Sequence, residues 1–332
     1  MFRISRVIST VAIILLILLD LLYFLHIWPN SKKIICDEIY FNDTLASILK
    51  PRWSGSRGHA EVANFLFEQL NSLGFLAIRE ELFDQRKYTN ILGILNVDAT
   101  RFLMLTCHYD SKFLPTAPHY VGATDGAVSC AILLNIAKTL NAYLREEFSN
   151  RDDIGLVLVF FDGHESTLAV EEDYNSLIGS RRFAQVETIP LLNIEVLITL
   201  NLIGAPNHIF LSHFMNTYGL HERLVDIETK LGKSGQLTKC HTLFHKIKDH
   251  ESDIEDDHYP FLSNGVPSMH IVPHAYPEYW HTQMDNVTNL YWPAIRNMNL
   301  ILAHFVYEYL QNHEELSSLV HKYSFVLPNG GP

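Results

Sequence analysis

A run of six apolar residues, 156–161 (LVLVFF), stops at Asp162-Gly163-His164-Glu165, and this junction constrains the chain more than any other stretch. Apolar side chains at every position suit a strand covered on both faces, as in the middle of a parallel sheet. Acids and an imidazole at its end are costly to bury unless they are paired or bound to metal. In open α/β sheets ligands gather just beyond the carboxyl ends of the strands, so these polar residues mark a candidate site. A polar turn that merely caps the strand fits the same residues.

The rest of the pattern supplies a sheet for that strand to enter. Val62, Leu66 and Leu70, with Ala63 and Phe67 beside them, predict an amphipathic helix between Ser54 and Gly74. Segments 75–83, 90–95, 102–107, 196–200 and 268–272 read as further strands. Val128, Ile132, Ile136, Leu140 and Leu144 predict one long helix after Asp125, and helices follow near 179–186, 218–231 and 293–310. Strands alternating with helices predict an α/β fold with a twisted, mostly parallel central sheet flanked by helices. No repeat or linker interrupts residues 51–332, which read as one domain. An apolar fraction of 48% over 332 residues excludes a disordered chain. The net charge of −12, with no basic run longer than Lys32-Lys33, argues against a nucleic-acid partner.

Ahead of the domain, residues 7–28 form an apolar segment of bilayer-spanning length, interrupted by Asp20 and preceded by Arg3 and Arg6. They predict a cytoplasmic tail at 1–6, a transmembrane signal anchor at 7–28 and a stem at 29–50. A cleaved signal peptide is the rival reading, although the segment ends in His26, Ile27 and Trp28 rather than small residues. Either places the body in the secretory pathway, where Asn42 and Asn286 head N-glycosylation sequons. Of the four cysteines, Cys36, Cys107, Cys130 and Cys240, a pair is able to bridge in an oxidising compartment, or all four are buried thiols.

Three strands end in polar residues: His108-Tyr109-Asp110, Asp162 to Glu165, and Asn201. Asp125 opens the long helix and His281 follows Trp280 on a late loop. Two carboxylates and one imidazole, from Asp125, Glu165 and His281, make three protein ligands with a fourth position open, as in catalytic zinc sites. Singly they also read as a helix N-cap, a paired loop acid and a hydrogen-bonded histidine.

Seven ordered motifs carry a resemblance: 107–112 (CHYDSK), 121–125 (VGATD), 160–163 (FFDG), 177–181 (LIGSR), 202–207 (LIGAPN), 256–262 (DDHYPFL) and 280–282 (WHT). Over about residues 51–310 the chain resembles the glutaminyl-peptide cyclotransferases, or glutaminyl cyclases, and its anchor is similar to the Golgi-resident branch. The resemblance implies a sheet like that of zinc aminopeptidases and conversion of N-terminal glutamine of peptides to pyroglutamate, with release of ammonia. It further implies one zinc ion on Asp125, Glu165 and His281, a bridge between Cys107 and Cys130, and Trp280 lining the substrate pocket.

The chain departs from that family where protons move. The acid/base glutamate is His164, and one of two network aspartates is Asn201, while the other stands as Asp256. Glu255 and Tyr276 replace a glutamine and a phenylalanine of the substrate pocket, and a pocket tryptophan is missing at 168–170 (LAV). An imidazole accepts and returns a proton near pH 7, so His164 is a candidate substitute. The alternative is a catalytically impaired zinc-binding relative that holds peptide N-termini or a protein partner. A two-metal aminopeptidase would need a carboxylate at 201 and a base at 164, and Asn201 and His164 argue against it.

Overall fold

The computed structural model describes residues 33–84, 86–149, 151–165, 176–250 and 254–321. The anchor expected at 7–28 and the missing pocket tryptophan at 168–170 lie outside them. Among the described residues no single helix is long and apolar enough to cross a membrane.

Six strands make the central sheet: β1 (Leu76–Asp84), β2 (Arg86–Leu95), β3 (Phe102–His108), β4 (Gly155–Phe161), β5 (Ile194–Leu200) and β8 (Ser268–Ile271). Their order is β1-β2-β4-β3-β5-β8. β3, β4, β5 and β8 run parallel, whereas β2 is antiparallel to both β1 and β4. The sheet is therefore mixed and mostly parallel, as the alternation predicted, with the antiparallel part confined to β1 and β2. The reason is local: Asp84 pairs with Arg86, so β1 and β2 form a hairpin with no room for a crossover. β3, β4 and β5 are buried at every position, which accounts for the unbroken apolar run of β4.

Helices cover both faces. Residues 38–48, assigned above to a stem, form helix α1 (Glu38–Ile48), capped by the Asp37 side chain on the Tyr40 amide at 2.9 Å. α1 buries Phe41, Leu45 and Ile48, and the folded body begins there rather than at 51. Then come α2 (Arg57–Ser72), α3 (Val128–Thr139), α4 (Ile178–Val186), α5 (Tyr218–Lys233), α6 (Trp292–Gln311) and α7 (His313–His321). The long helix predicted through Leu144 breaks after Thr139 with a bend of 54°. α3 lies against β3, α1 and α6, which accounts for its near-complete burial. Two short strands, β6 (Phe210–Ser212) and β7 (Phe244–Lys248), form a separate pair.

On the other face Met104, Val157, Val159 and Phe161 pack against Phe183 and Phe261. Phe161 and Phe183 meet edge to face, with ring centroids 5.7 Å apart. This packing fixes the sheet edge on which the polar residues sit. The Tyr109 amide donates to Phe161 O at 2.9 Å and the Asn201 amide to Ile271 O at 3.1 Å, so the ends of four parallel strands are held in line.

If α1 belongs to the body, Leu45→Ala leaves a cavity beneath it. It is expected to cost about 2 to 5 kcal/mol in denaturant unfolding, whereas a residue of a free stem would cost nothing measurable.

Candidate active site

Asp125 sits in the tight turn Ala123–Ala127 that leads into α3, with non-helical φ −86° and ψ 79°. Gly126 follows at φ 91°, and a Cβ there would lie 2.8 Å from both the His108 ring and its carbonyl, so only glycine closes the turn. Two side chains hold it from behind. The buried Arg52 guanidinium donates to the carbonyls of Tyr109 (2.6 Å), Gly122 (3.1 Å), Asp125 (3.1 Å) and Val121. Asp285 accepts from the Thr124 and Asp125 amides at 2.8 and 3.2 Å. Burial, with the charge of Asp125, pushes Asp285 up to about 6.

The polar end of β4 divides its labour. Asp162 is wholly buried and accepts from Ser54 Oγ (2.7 Å), His59 Nε2 (2.8 Å) and the Thr89 amide (2.8 Å), so its role is structural. Asp110, at the end of β3, accepts the backbone amides of His164 and Glu165 at 3.2 and 3.0 Å. It thereby fixes how the two consecutive side chains leave the strand. Arg52 was not singled out in the sequence, and Asp110 was noted at a strand end without a role. Asp110 had a signal, as an acid at a strand end, and Arg52 had none.

The three expected metal ligands converge. His281 Nε2 lies 3.2 Å from Asp125 Oδ2 and 3.1 Å from Glu165 Oε1, and one donor atom from each residue falls within 4.8 Å of the others. Tyr120 donates to Asp125 Oδ2 at 2.8 Å and Lys112 Nζ lies 3.2 Å from Glu165 Oε2. His281 takes a left-handed φ of 56°, costly for a non-glycine residue, and stacks on Trp280 at 3.8 Å. Burial lowers the His281 imidazole, but hydrogen bonds to Asp125 and Glu165 outweigh it and raise the group to about 9. Two carboxylate oxygens and a nitrogen, mostly buried and aimed at one point, fit a zinc ion with a fourth position open.

A second cluster adjoins the first. His164 Nδ1 lies 2.9 Å from Asp257 Oδ2 and 3.7 Å from Asp256 Oδ1, and its ring stacks on His108 at 3.9 Å and 12°. His108 Nε2 reaches Asn201 Oδ1 (3.3 Å) and Asp125 Oδ1 (3.4 Å), which joins the two clusters. Asn201 Nδ2 donates to Asp256 Oδ2 at 3.0 Å, and His270 Nε2 meets the same oxygen at 3.0 Å. His164, Asn201 and Asp256 therefore stand together, with Asp257 as a member the sequence reading did not assign. Burial and the neighbouring His108 lower the His164 imidazole, but Asp257 and Asp256 prevail and raise it to about 9.

The pocket residues divide. Tyr276 and Trp280, both half-exposed, meet edge to face at 5.1 Å beside His281. Glu255 instead turns to solvent, 4.0 Å from Arg181. Cys107 and Cys130 lie beneath His108 with their sulfurs 3.2 Å apart. That exceeds the roughly 2.05 Å of a bond, so the expected bridge is a pair of adjacent thiols in this structure. Cys130 Sγ instead donates to His108 O at 3.1 Å.

The sequence matches peptidase family M28 over residues 90–306. It is 34% identical to the glutaminyl-peptide cyclotransferase of Drosophila melanogaster over 296 residues, 83% of this chain and 82% of that one. It is 37% identical to the glutaminyl-peptide cyclotransferase-like protein of Mus musculus over 287 residues, 80% and 74% of the two chains. Among solved structures, a glutaminyl cyclase of Macrostomum lignano superposes with a TM-score of 0.75 at 30% identity, covering 83% of this chain and 90% of that one. A Zn-dependent exopeptidase of Parabacteroides distasonis shares the fold, with a TM-score of 0.65 at 21% identity over 82% and 96% of the chains.

With His281 raised to about 9, the metal-free site carries an imidazolium at pH 7, whereas zinc takes the neutral ring. Zinc binding near pH 7 is expected to release about one proton or more, fading as pH rises through 9. Titration calorimetry in buffers of different ionisation enthalpy reads the release, and a pH-independent value near zero would contradict the pairing.

Proposed function

The chain belongs to the glutaminyl-peptide cyclotransferase family, which shares the M28 peptidase fold, and we propose that it converts N-terminal glutaminyl residues of peptides to pyroglutamate, using one zinc ion. The observation that carries this reading is the convergence of Asp125, Glu165 and His281, the last two 116 positions apart, on one point.

In the reaction the substrate α-amine bonds to its own side-chain amide carbon, the bond from that carbon to the side-chain nitrogen breaks, and ammonia leaves. Asp125, Glu165 and His281 would hold the zinc, which when bound polarises the amide oxygen and disfavours a charged imidazole nearby. His164 stands beside Glu165 with Nδ1 engaged by Asp257, so Nε2 is the atom that takes the proton from the amine and returns it to the departing nitrogen. Asn201 and Asp256, hydrogen-bonded to each other, order the floor of the site without a second exchangeable acid at 201. Trp280 and Tyr276 offer an aromatic wall for the substrate side chain. Lys112 offsets the charge of Glu165.

A second reading, a zinc-binding relative that retains peptide N-termini without cyclising them, is favoured by the imidazole at 164 in place of the family's carboxylate. Ammonia release from a peptide beginning with glutamine separates the two. Cyclisation by the zinc-loaded protein, lost with a chelator or in His281→Ala, and lowered about 10²- to 10⁴-fold in His164→Gln, is expected if His164 carries the proton. Turnover no higher than that of His281→Ala would support the second reading.

The body is further proposed to lie in the lumen of the secretory pathway, anchored by residues 7–28 in the Golgi membrane. Arg3 and Arg6 ahead of that segment and the exposed Asn42 support this placement. A glycosidase-sensitive gel shift of the secretory-pathway protein, reduced in Asn42→Gln, is expected, and an unglycosylated cellular protein would contradict it.

A further inference from the structure

We propose that Asp257 is the positioning residue of His164: it accepts the Nδ1 proton and fixes the plane and tautomer of the ring, so that Nε2 faces the substrate. The chemical consequence rests on the cyclase reading above, whereas the geometry does not.

The two acids beside His164 are not equivalent. Asp256 is already committed, because its Oδ1 accepts the Asp257 amide at 2.6 Å and its Oδ2 meets Asn201 Nδ2 and His270 Nε2, each at 3.0 Å. Its nearest approach to His164 Nδ1 is 3.7 Å, beyond hydrogen-bond length. Asp257 Oδ2 lies at 2.9 Å from that nitrogen, and Oδ1 is buried with no hydrogen-bond partner among the described residues. Asp257 is fully buried, so without His164 it would be a carboxylate with no side-chain partner there. Such a group is costly to bury and has no other visible task.

The remaining freedoms of His164 are removed by other contacts. Its backbone amide is tied to Asp110, and one face of the ring lies on His108. Nε2 has no hydrogen-bond partner among the described residues, and the side chain keeps 15% of its surface exposed. An imidazole held at one nitrogen by a buried carboxylate and open at the other is the arrangement that orients a proton-transferring histidine elsewhere. The pairing gives the imidazole at 164 a buried counter-charge.

The test uses the full-length chain in detergent, labelled with ¹⁵N-histidine. In the metal-free protein a slowly exchanging, downfield Nδ1–H resonance is expected for His164, identified by its loss in His164→Gln. It should disappear in Asp257→Ala, shift in Asp257→Asn, which keeps an acceptor oxygen, and persist in Asp256→Asn. In the zinc-loaded protein Asp257→Asn is expected to lower kcat about 10- to 100-fold, with KM and zinc content unchanged. Survival of the resonance in Asp257→Ala, or an unchanged kcat in Asp257→Asn, would overturn the proposal. So would two zinc ions per natural chain falling to one in Asp257→Ala, because the cluster would then be a second cation site. Absence of any cyclisation by the natural protein would remove the cyclase reading while the resonance still decides the pairing.

Discussion

The buried carboxylates at the carboxyl ends of the parallel strands are the constraint on which the rest of the structure depends. Asp110, Asp125, Asp162, Asp256 and Asp257 are almost wholly removed from water, and unpaired they would not be tolerated. Each is answered by a specific partner: backbone amides for Asp110, imidazoles for Asp125 and Asp257, a hydroxyl, an imidazole and an amide for Asp162, and a backbone amide, the Asn201 side-chain amide and an imidazole for Asp256. The sheet supplies the frame that makes this possible, since strands held in register present their ends within a few ångströms of one another. The turn at Gly126 and the guanidinium of Arg52 then aim one of those acids at the metal position.

A consequence is that histidines act as counter-charges. His108 couples the metal trio to the proton-handling cluster, while His164 and His281 each lie against two acids and are raised to about 9 without metal. The substitutions that separate this chain from the usual family pattern fit together in these terms. An imidazole at 164 adds a group of opposite sign next to Asp257. Asn201 keeps a donor for Asp256 and an acceptor for His108, but adds no charge. Both substitutions leave the buried acids beside them with a hydrogen-bonding partner.

Much of this was legible in the sequence, and for identifiable reasons. The strand at 156–161 is apolar throughout because both faces are covered, and its polar end marks the site edge. The metal trio was only weakly marked by its residue types, since a helix N-cap, a paired acid and a hydrogen-bonded histidine fit them equally, and it became legible through the ordered family motifs around it. The hairpin of β1 and β2 was missed, since alternation of strands and helices says nothing about direction within a pair. Helix α1 was missed because only Phe41, Leu45 and Ile48 mark its buried apolar face in a short segment of 11 residues. The break after Thr139 is not visible in a stripe that continues past it. Asp257 was passed over for its neighbour Asp256, because which of two adjacent acids meets a given side chain is decided by backbone geometry alone. Arg52 reads as a surface residue until four carbonyls are seen around it.

The central claim is that one metal ion is held by residues from three distant parts of the chain. The most direct measurement is an anomalous difference map at the zinc absorption edge from crystals of the zinc-loaded protein. The account predicts a single peak within bonding distance of Asp125 Oδ2, Glu165 Oε1 and His281 Nε2. A map with no peak among those atoms, or with its only peak between His164, Asp256 and Asp257, would contradict it.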